Sequence, residues 1–496
     1  MENPFVNLKP SSLWKHFFDL TQIPHPSGCQ EEITQFVEDF GKRLGLETLR
    51  DSANNICIRK PATPGCETIQ PIVLQSHLDM VPQANSDVRI DFEKDPIQPY
   101  VDGDWVKAKG TTLGADNGIG AAAMMAILED KDIQHGPIEA LFTTDEETGM
   151  FGALAIRPGF INGKILLNLD GEEYGEVYIG CAGGADVTAR FQFQNETFVP
   201  KEDVAMKVSL TGLKGGHSGV DIHLGRANAN KLMFRFLKEA METYDIRLSS
   251  VKGGSLRNAI PREAFAIIIV DSQERYEKVK AMVAGYEQIF REEFDGIEDI
   301  NALSFKAEFV EIEKDMVLIP RLIQERLTHA IMAAPNNIIN MSPQVTTAVQ
   351  TSINLATIET CDSMAEVRFL ARSSSQSKKE ALCSSEESLF KLAMADFVET
   401  SNGYPGWDPD PNTKIVPAME KIYKDLEGED LKIEIIHAGL ECGIIMSNVP
   451  DLKLDAVSFG PTIKFPHSPD EKVNIPSVEK FWNYLITILK NAPKQN

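Results

Sequence analysis

The chain has 496 residues, 43% hydrophobic and 25% charged, enough apolar material for two or three cores rather than one. Its formal net charge of -24 argues against a nucleic-acid or anionic-membrane surface, because phosphate recognition needs clustered Lys and Arg. The opening MENPFVNLKPSSLWKHFF lacks the basic stretch and apolar run of a secretory leader, and no later run reaches the roughly 18 to 20 apolar residues that span a bilayer. Seven scattered cysteines without a CxxC pair give neither a disulfide framework nor a thiolate metal site, so a cytoplasmic protein is expected.

In chain order, an amphipathic run at 31–46, with Ile33, Phe36, Val37, Phe40 and Leu44 at helical spacing, predicts a first helix. Apolar strands follow at 56–59, at 72–74 leading into Ser76-His77, and at 139–143, with a small-residue helix at 118–128 before the last. A further strand at 164–169 runs into Asp170. Strands separated by helices read as an α/β sheet. From about 186 the texture changes: strands at 205–210, 264–270 and 365–370 enclose helices at 227–243, 276–294 and 319–332, an α+β pattern. The turn-rich SNGYPGWDPDPNT at 401–413 reads as a hinge. A helix at 416–426, strands at 432–436 and 456–459, and a helix at 477–490 then resume the α/β texture. The predicted architecture is one α/β domain built from 1–185 and 401–496, with an α+β domain at 186–400 inserted between the two segments.

Chemistry gathers at the predicted strand ends. His77 and Asp79, in QSHLDMVP, are two apart and project to one face, so Asp79 can fix the imidazole tautomer of a metal-bound His77. Asp116 stands among glycines in GTTLGADNGIG at a helix start, and Asp170 ends the strand in LLNLDGEE. IEALFTTDEETG places Glu146 beside Glu147, and His467 lies far along the chain in GPTIKFPHSPDEKV. Two imidazoles and three carboxylates suit two zinc-like ions, one carboxylate bridging; such ions, about 3.5 to 4 Å apart, make a shared water nucleophilic. One Glu of the pair would be a ligand and the other a general base, and the residues alone do not say which.

SHLDMVP, GTTLGADNGIG, TTDEETG, LNLDGEE and the C-terminal PHSPDE, in that order, resemble the two-metal peptidase family of carboxypeptidase G, succinyl-diaminopimelate desuccinylase and the carnosinases. KGGHSGVDIHLGRANA, HAGLECG and HSPDEKVNI resemble its aminoacyl-histidine dipeptidase branch, and the likeness runs from IPHPSG to the closing helix. The resemblance implies a discontinuous two-zinc catalytic domain with an inserted α+β lid and dimerisation domain. His77 and Asp170 would hold one metal, Glu147 and His467 the other, and Asp116 would bridge. Asp79 would orient His77, Glu146 would be the general base, and a cis peptide would follow Asp116. In the lid, His217 of GGHSG would stabilise the oxyanion, Asn258 would touch substrate, and Arg372 would clamp its carboxylate, with Arg368 competing for that role. Glu441, Glu172 and Glu173 are candidates for the partner of a substrate ammonium, Glu441 also as a direct substrate contact with Cys442. His223 and His437 receive no role, and His25, where relatives often carry Arg, is expected to lie away from the chemistry.

The expected activity is hydrolysis of unblocked dipeptides, Xaa-His such as β-Ala-His preferred, by a homodimer paired through the lid. Two zinc ions, replaceable by cobalt or manganese, are the expected cofactors. The alternatives are an N-acyl amino-acid deacylase or carboxypeptidase on the same scaffold and, in another class, a non-catalytic binding or assembly protein.

Overall fold

The structure, a computed structural model, describes residues 2–198, 200–313, 316–361 and 363–495. It divides into two compact units: Met1–Gly180 with Trp407–Ile435 and Leu440–Asn496, and Cys181–Gly406 with Ile436–Gly439.

The first unit begins with α1 (Ser11–Thr21) and α2 (Glu31–Arg43), then strands β1 (Glu47–Arg50), β2 (Ile56–Lys60) and β3 (Ile72–His77). A hairpin of β4 (Pro99–Asp102) and β5 (Trp105–Ala108) leads to α3 (Ala115–Glu129), followed by β6 (Ile138–Thr143), β7 (Ile165–Asn168) and β8 (Glu176–Cys181). The eight-stranded sheet runs β1, β2, β6, β3, β7, then Asp455–Ser458, β8 and Lys432–Ile436. Its centre is parallel: β3 pairs with β6 and β7, and Asp455–Ser458 joins β7. Those central strands are buried along their whole length, as parallel strands covered on both faces must be. α3 is buried almost all round because AAAMMAIL has no polar face, and Gly120 lets it approach the sheet: a Cβ there would meet the Leu169 carbonyl at 3.0 Å.

The second unit is built on a nine-stranded sheet ordered Ser304–Val310, Val204–Thr211, Ala264–Val270, Arg247–Gly253, Val349–Cys361, Met364–Ser373, Gly183–Gln192 and Phe397–Tyr404, with Asn337–Met341 also on Val349–Cys361. Every pairing in it is antiparallel. Helices Ala229–Tyr244, Gln273–Glu293, Arg321–Ala333 and Gln376–Leu392 contribute to its core. The stretch 401–413, expected to be a hinge, starts as sheet: Phe397–Tyr404 pairs with Gly183–Gln192. Neither strand was anticipated, nor was Val349–Cys361, whose QTSINLATIET mixes polar residues into a buried segment. The described helices include none long and apolar enough to cross a membrane.

Candidate metal centre and second-unit cluster

In the first unit the C-terminal ends of parallel β3, β6 and β7 deliver the predicted donors, the edge where α/β sheets place their sites. His77 is the last residue of β3, Glu146-Glu147 open a one-turn helix just after β6, and Asp170 lies two residues past β7. Asp116 comes from the start of α3, where Gly114 takes a left-handed φ of 72° and the Asp116-Asn117 bond is cis. His467 sits at a left-handed φ of 59° in the loop before Lys472–Asn474.

These side chains converge. The His77 Nδ1 faces two acceptors, the Asp79 carbonyl at 3.0 Å and its Oδ1 at 3.5 Å, so that nitrogen carries the proton and Nε2 turns to the carboxylates. His77 Nε2 lies 3.1 Å from Asp116 Oδ1 and 3.5 Å from Asp170 Oδ1. His467 Nε2 lies 3.1 Å from the other Asp116 oxygen, Oδ2, and 3.0 Å from Glu147 Oε1. Asp116 therefore divides its two oxygens between two imidazoles. The donor atoms of His77, Asp116 and Asp170 lie within 4.8 Å of one another, as do those of Asp116, Glu147 and His467, and of His77, Glu146 and Glu147.

Asp79 does more than orient His77. Its Oδ1 accepts the Glu146 N–H at 3.0 Å, and its Oδ2 accepts the Glu147 N–H at 3.2 Å and the Ser27 hydroxyl at 2.8 Å. Burial alone would raise its pKa, but these bonds and His77 hold it below the usual carboxylate range. A second buried carboxylate fixes the Asp116 loop: Glu471 Oε2 accepts from Leu113 N at 2.7 Å and Gly114 N at 3.1 Å, and Oε1 from Ala115 N at 2.7 Å and Asp116 N at 3.3 Å. Asn117 donates to Asp170 Oδ1, while its own carbonyl accepts from Ser76 Oγ at 2.9 Å.

The field at this cluster is strongly negative. Burial first, then Asp170, Glu147 and Glu441, drive the Glu146 carboxyl well above its ordinary value, with His77 opposing. Burial also raises Asp170 and Glu147. Hydrogen bonds to Asp116 and Glu147 push His467 up to about 11. Carboxylates outnumber imidazoles, and Asp116 Oδ2 and Glu147 Oε1 share the single Nε2 of His467. Mixed imidazole and carboxylate donors around a shared Asp116 fit two divalent cations.

Other predicted residues fall differently. Glu441 is fully buried: its Oε2 accepts from Gln75 Nε2 at 2.5 Å and Thr143 Oγ1 at 2.7 Å. Cys442 beside it is equally buried. Glu173 is held by Lys464 and Thr462, whereas the exposed Glu172 makes no ion pair among the described residues. His25 is not remote. It is buried, its Nε2 would lie 3.5 Å from a Cβ at Gly114, and Asp79 and His77 both act on its charge.

In the second unit, His217 ends the two-residue strand Gly216–His217, which pairs with Ala259–Ile260. Its Nδ1 accepts the N–H groups of Gly219 at 3.2 Å and Val220 at 3.0 Å, so the neutral ring carries its proton on Nε2. Arg372 Nη2 lies 3.4 Å from that Nε2, and Nη1 donates to Tyr404 Oη at 3.0 Å. Arg372 is buried with its Nε unpartnered, while Arg368 is half-exposed and paired with Glu366 at 2.6 Å. Asn258 is exposed, and its carbonyl accepts Ser218 N at 2.8 Å. His437 binds Ser352 Oγ at 2.7 Å and is pushed down to about 3 by burial and Arg372, whereas His223 is exposed.

Sequence reasoning missed Glu471, Ser27, Tyr404 and Ser352. The only signal for Glu471 was its place four residues after His467 in HSPDEK.

A family model described as Peptidase family M20/M25/M40 matches residues 73–491. The cytosol non-specific dipeptidase of Escherichia coli K12 is 44% identical over 486 residues, covering 98% of this chain and 98% of that one. The crystal structure of aminoacylhistidine dipeptidase from Vibrio alginolyticus is similar at TM-score 0.89 and 43% identity, over 100% of this chain and 99% of that chain. Aminopeptidase PepT from Bacillus cereus, at 16% identity, 98% and 99% coverage and TM-score 0.56, shares the fold alone.

Proposed function

The chain belongs to peptidase family M20/M25/M40, and from that premise we propose that it is a dipeptidase hydrolysing unblocked dipeptides, Xaa-His among them, at a two-cation centre in its first unit. The observation that carries the reading is Asp116, whose two oxygens face two different imidazoles. His77 and Asp170 would hold one divalent ion, Glu147 and His467 the other, and Asp116 both. Bound there, the ions would supply Lewis-acid polarisation of the scissile carbonyl and of the attacking water.

Everything else falls to the chain. Glu146 takes the proton of that water and returns it to the leaving amine; its raised affinity for protons, set first by burial, suits an acid-base group. Asp79 keeps Glu146 and Glu147 side by side by holding both of their N–H groups. Exposed Glu172, next but one to Asp170, receives the substrate ammonium. In the second unit His217 donates from Nε2 to the oxyanion, Arg372 holds the substrate carboxylate and Asn258 contacts the peptide. Zinc is the proposed metal, with cobalt or manganese able to replace it. A homodimer paired through the second unit and a cytoplasmic location complete the reading.

The test is a panel of β-Ala-His, Gly-His, Ala-Leu and an N-acetyl amino acid, run on metal-stripped protein and after zinc or cobalt is restored. Turnover of the free dipeptides that disappears on stripping and returns on restoration is expected. Turnover of the acetylated compound alone would replace dipeptidase by deacylase, and full activity without metal would end the two-cation reading.

A further inference from the structure

Three of the central strands carry a polar side chain where parallel strands ordinarily carry Val, Ile or Leu. Gln75 of β3, Thr143 of β6 and Asn168 of β7 are all fully buried. Burying such groups is unfavourable unless every donor finds an acceptor, and here they satisfy one another. Asn168 Nδ2 donates to Gln75 Oε1 at 2.6 Å, and Gln75 Nε2 donates to Thr143 Oγ1 at 3.1 Å and to Glu441 Oε2 at 2.5 Å. The Thr143 hydroxyl donates to the same Glu441 oxygen at 2.7 Å, and Asn168 Oδ1 accepts the Asp170 N–H at 3.3 Å. Glu441 comes from a remote segment, at the first position of the helix Glu441–Asn448.

Each strand in this net ends in a donor of the candidate metal centre. Gln75 precedes His77 by two residues, so both project to one face of β3. Asn168 precedes Asp170 by two, and Thr143 precedes Glu146-Glu147 by three and four. The carboxylate that closes the net is costly: it is fully buried, makes no ion pair among the described residues, and its Oε1 has no hydrogen-bond partner there. Burial accordingly pushes its pKa up to about 7. An aliphatic residue would fill the space without that penalty, so the value of Glu441 lies in what it ties together.

We propose that Glu441 is a positioning residue which, through Gln75 and Thr143, holds the ends of β3, β6 and β7 in the register that spaces His77, Glu146-Glu147 and Asp170 for two cations. It touches neither substrate nor metal, and the role rests on the two-cation reading above. What it contributes is acceptor geometry rather than charge.

The experiment compares wild type with Glu441→Ala, Glu441→Gln and Gln75→Met. For each, zinc affinity is measured by chelator competition, kcat and KM on β-Ala-His, and the melting temperature of the metal-free protein. Glu441→Ala is expected to weaken zinc binding about 10- to 100-fold, as loss of a ligand's support does, and to lower kcat similarly with KM within about threefold. Glu441→Gln keeps one oxygen to accept both bonds and should recover most of the loss. Gln75→Met leaves Glu441 in place but cuts the net, and should weaken zinc as Glu441→Ala does, which keeps the test decisive if the alanine variant fails to fold. Two results would overturn the proposal: folded Glu441→Ala and Gln75→Met proteins with wild-type zinc affinity, or a Glu441→Gln protein whose KM rises more than tenfold at unchanged kcat, the mark of a lost ammonium contact. A wild-type chain that binds no zinc would instead defeat the two-cation reading itself.

Discussion

The two units handle buried charge in opposite ways. In the first, Asp79, Asp116, Glu146, Glu147 and Asp170 crowd two imidazoles, and the imbalance is negative. In the second, His217 has its Nδ1 occupied by two backbone amides, so its Nε2 and the Arg372 guanidinium stand 3.4 Å apart as two donors. Such a pair is comfortable only with an acceptor oxygen between or beside them. One cluster is thus built for cations and the other for an anion.

The sharpest way to break that comparison is at Glu146. Glu146→Gln keeps the shape of the side chain and the main-chain bond to Asp79, but cannot carry a proton. kcat should fall by at least about a thousandfold while zinc per chain stays at the wild-type value. A variant that loses metal together with its rate would show that Glu146 is a ligand and not the base.

His217 comes next. With Nδ1 held by Gly219 and Val220, only Nε2–H can stabilise developing negative charge, so His217→Ala should lower kcat about 10²- to 10³-fold with zinc content unchanged. His217→Gln, which can still present an N–H, should recover part of the rate. Equal losses in both variants would mean that the imidazole acts otherwise than as a donor.

How much of this was readable beforehand depends on the range of the interaction. The donors of the metal cluster were legible because each sits in a short local signal, a strand end followed by a turn: His77 in SHLD, Glu146-Glu147 in TTDEETG, Asp170 in LDGEE. Which Glu is ligand and which is base is an expectation that came from the resemblance, since spacing is silent on it. Glu471 was invisible because its role is to accept four amides from residues more than 350 positions earlier, and nothing local to PDEK announces that. The net around Glu441 was invisible for the same reason: the sequence offered this residue only as a candidate substrate contact, and nothing in GLECG announces its bonds to Gln75 and Thr143. Val349–Cys361 escaped notice because Gln350, Thr351, Ser352 and Asn354 break the apolar pattern. Thr351, Ser352 and Asn354 are satisfied in the fold by Ser373, His437 and the Ala259 carbonyl.

Choosing between Arg372 and Arg368 was beyond the sequence, since both lie on one strand face, and the structure sharpens the contrast. Arg372 is buried beside His217 and Tyr404, whereas Arg368 spends its charge on Glu366 at the surface. Arg372→Lys retains the charge but loses the planar fork, so KM for dipeptides should rise about tenfold at nearly constant kcat. Arg368→Lys should change KM less than twofold. The reverse ranking would move the carboxylate contact to Arg368.

The smallest expected effect concerns a carboxylate that neither cluster uses. Glu386, in the helix Gln376–Leu392, is fully buried and both its oxygens lack hydrogen-bond partners. Burial pushes its pKa from 4.5 up to about 7, with Lys231 opposing. Lys231 gives it no hydrogen bond, because its ammonium donates to the carbonyls of Ile331, Met332 and Ala334. Folded Glu386 therefore keeps its proton up to about pH 7, whereas an unfolded glutamate releases it near 4.5. Between those values the folded state binds more protons, so the contribution of Glu386 to stability is whole below about 4.5 and is lost as pH rises through 7. The gap corresponds to at most roughly 3 kcal/mol. Glu386→Gln should be more stable than wild type at pH 8 by up to that amount, and the difference should shrink towards pH 5 in denaturant melts followed across that range. Because the residue belongs to neither cluster, zinc affinity and kcat should not move. A difference independent of pH would mean that Glu386 has a partner at neutral pH, and the contrast between paired acids in the first unit and this solitary one in the second would fall.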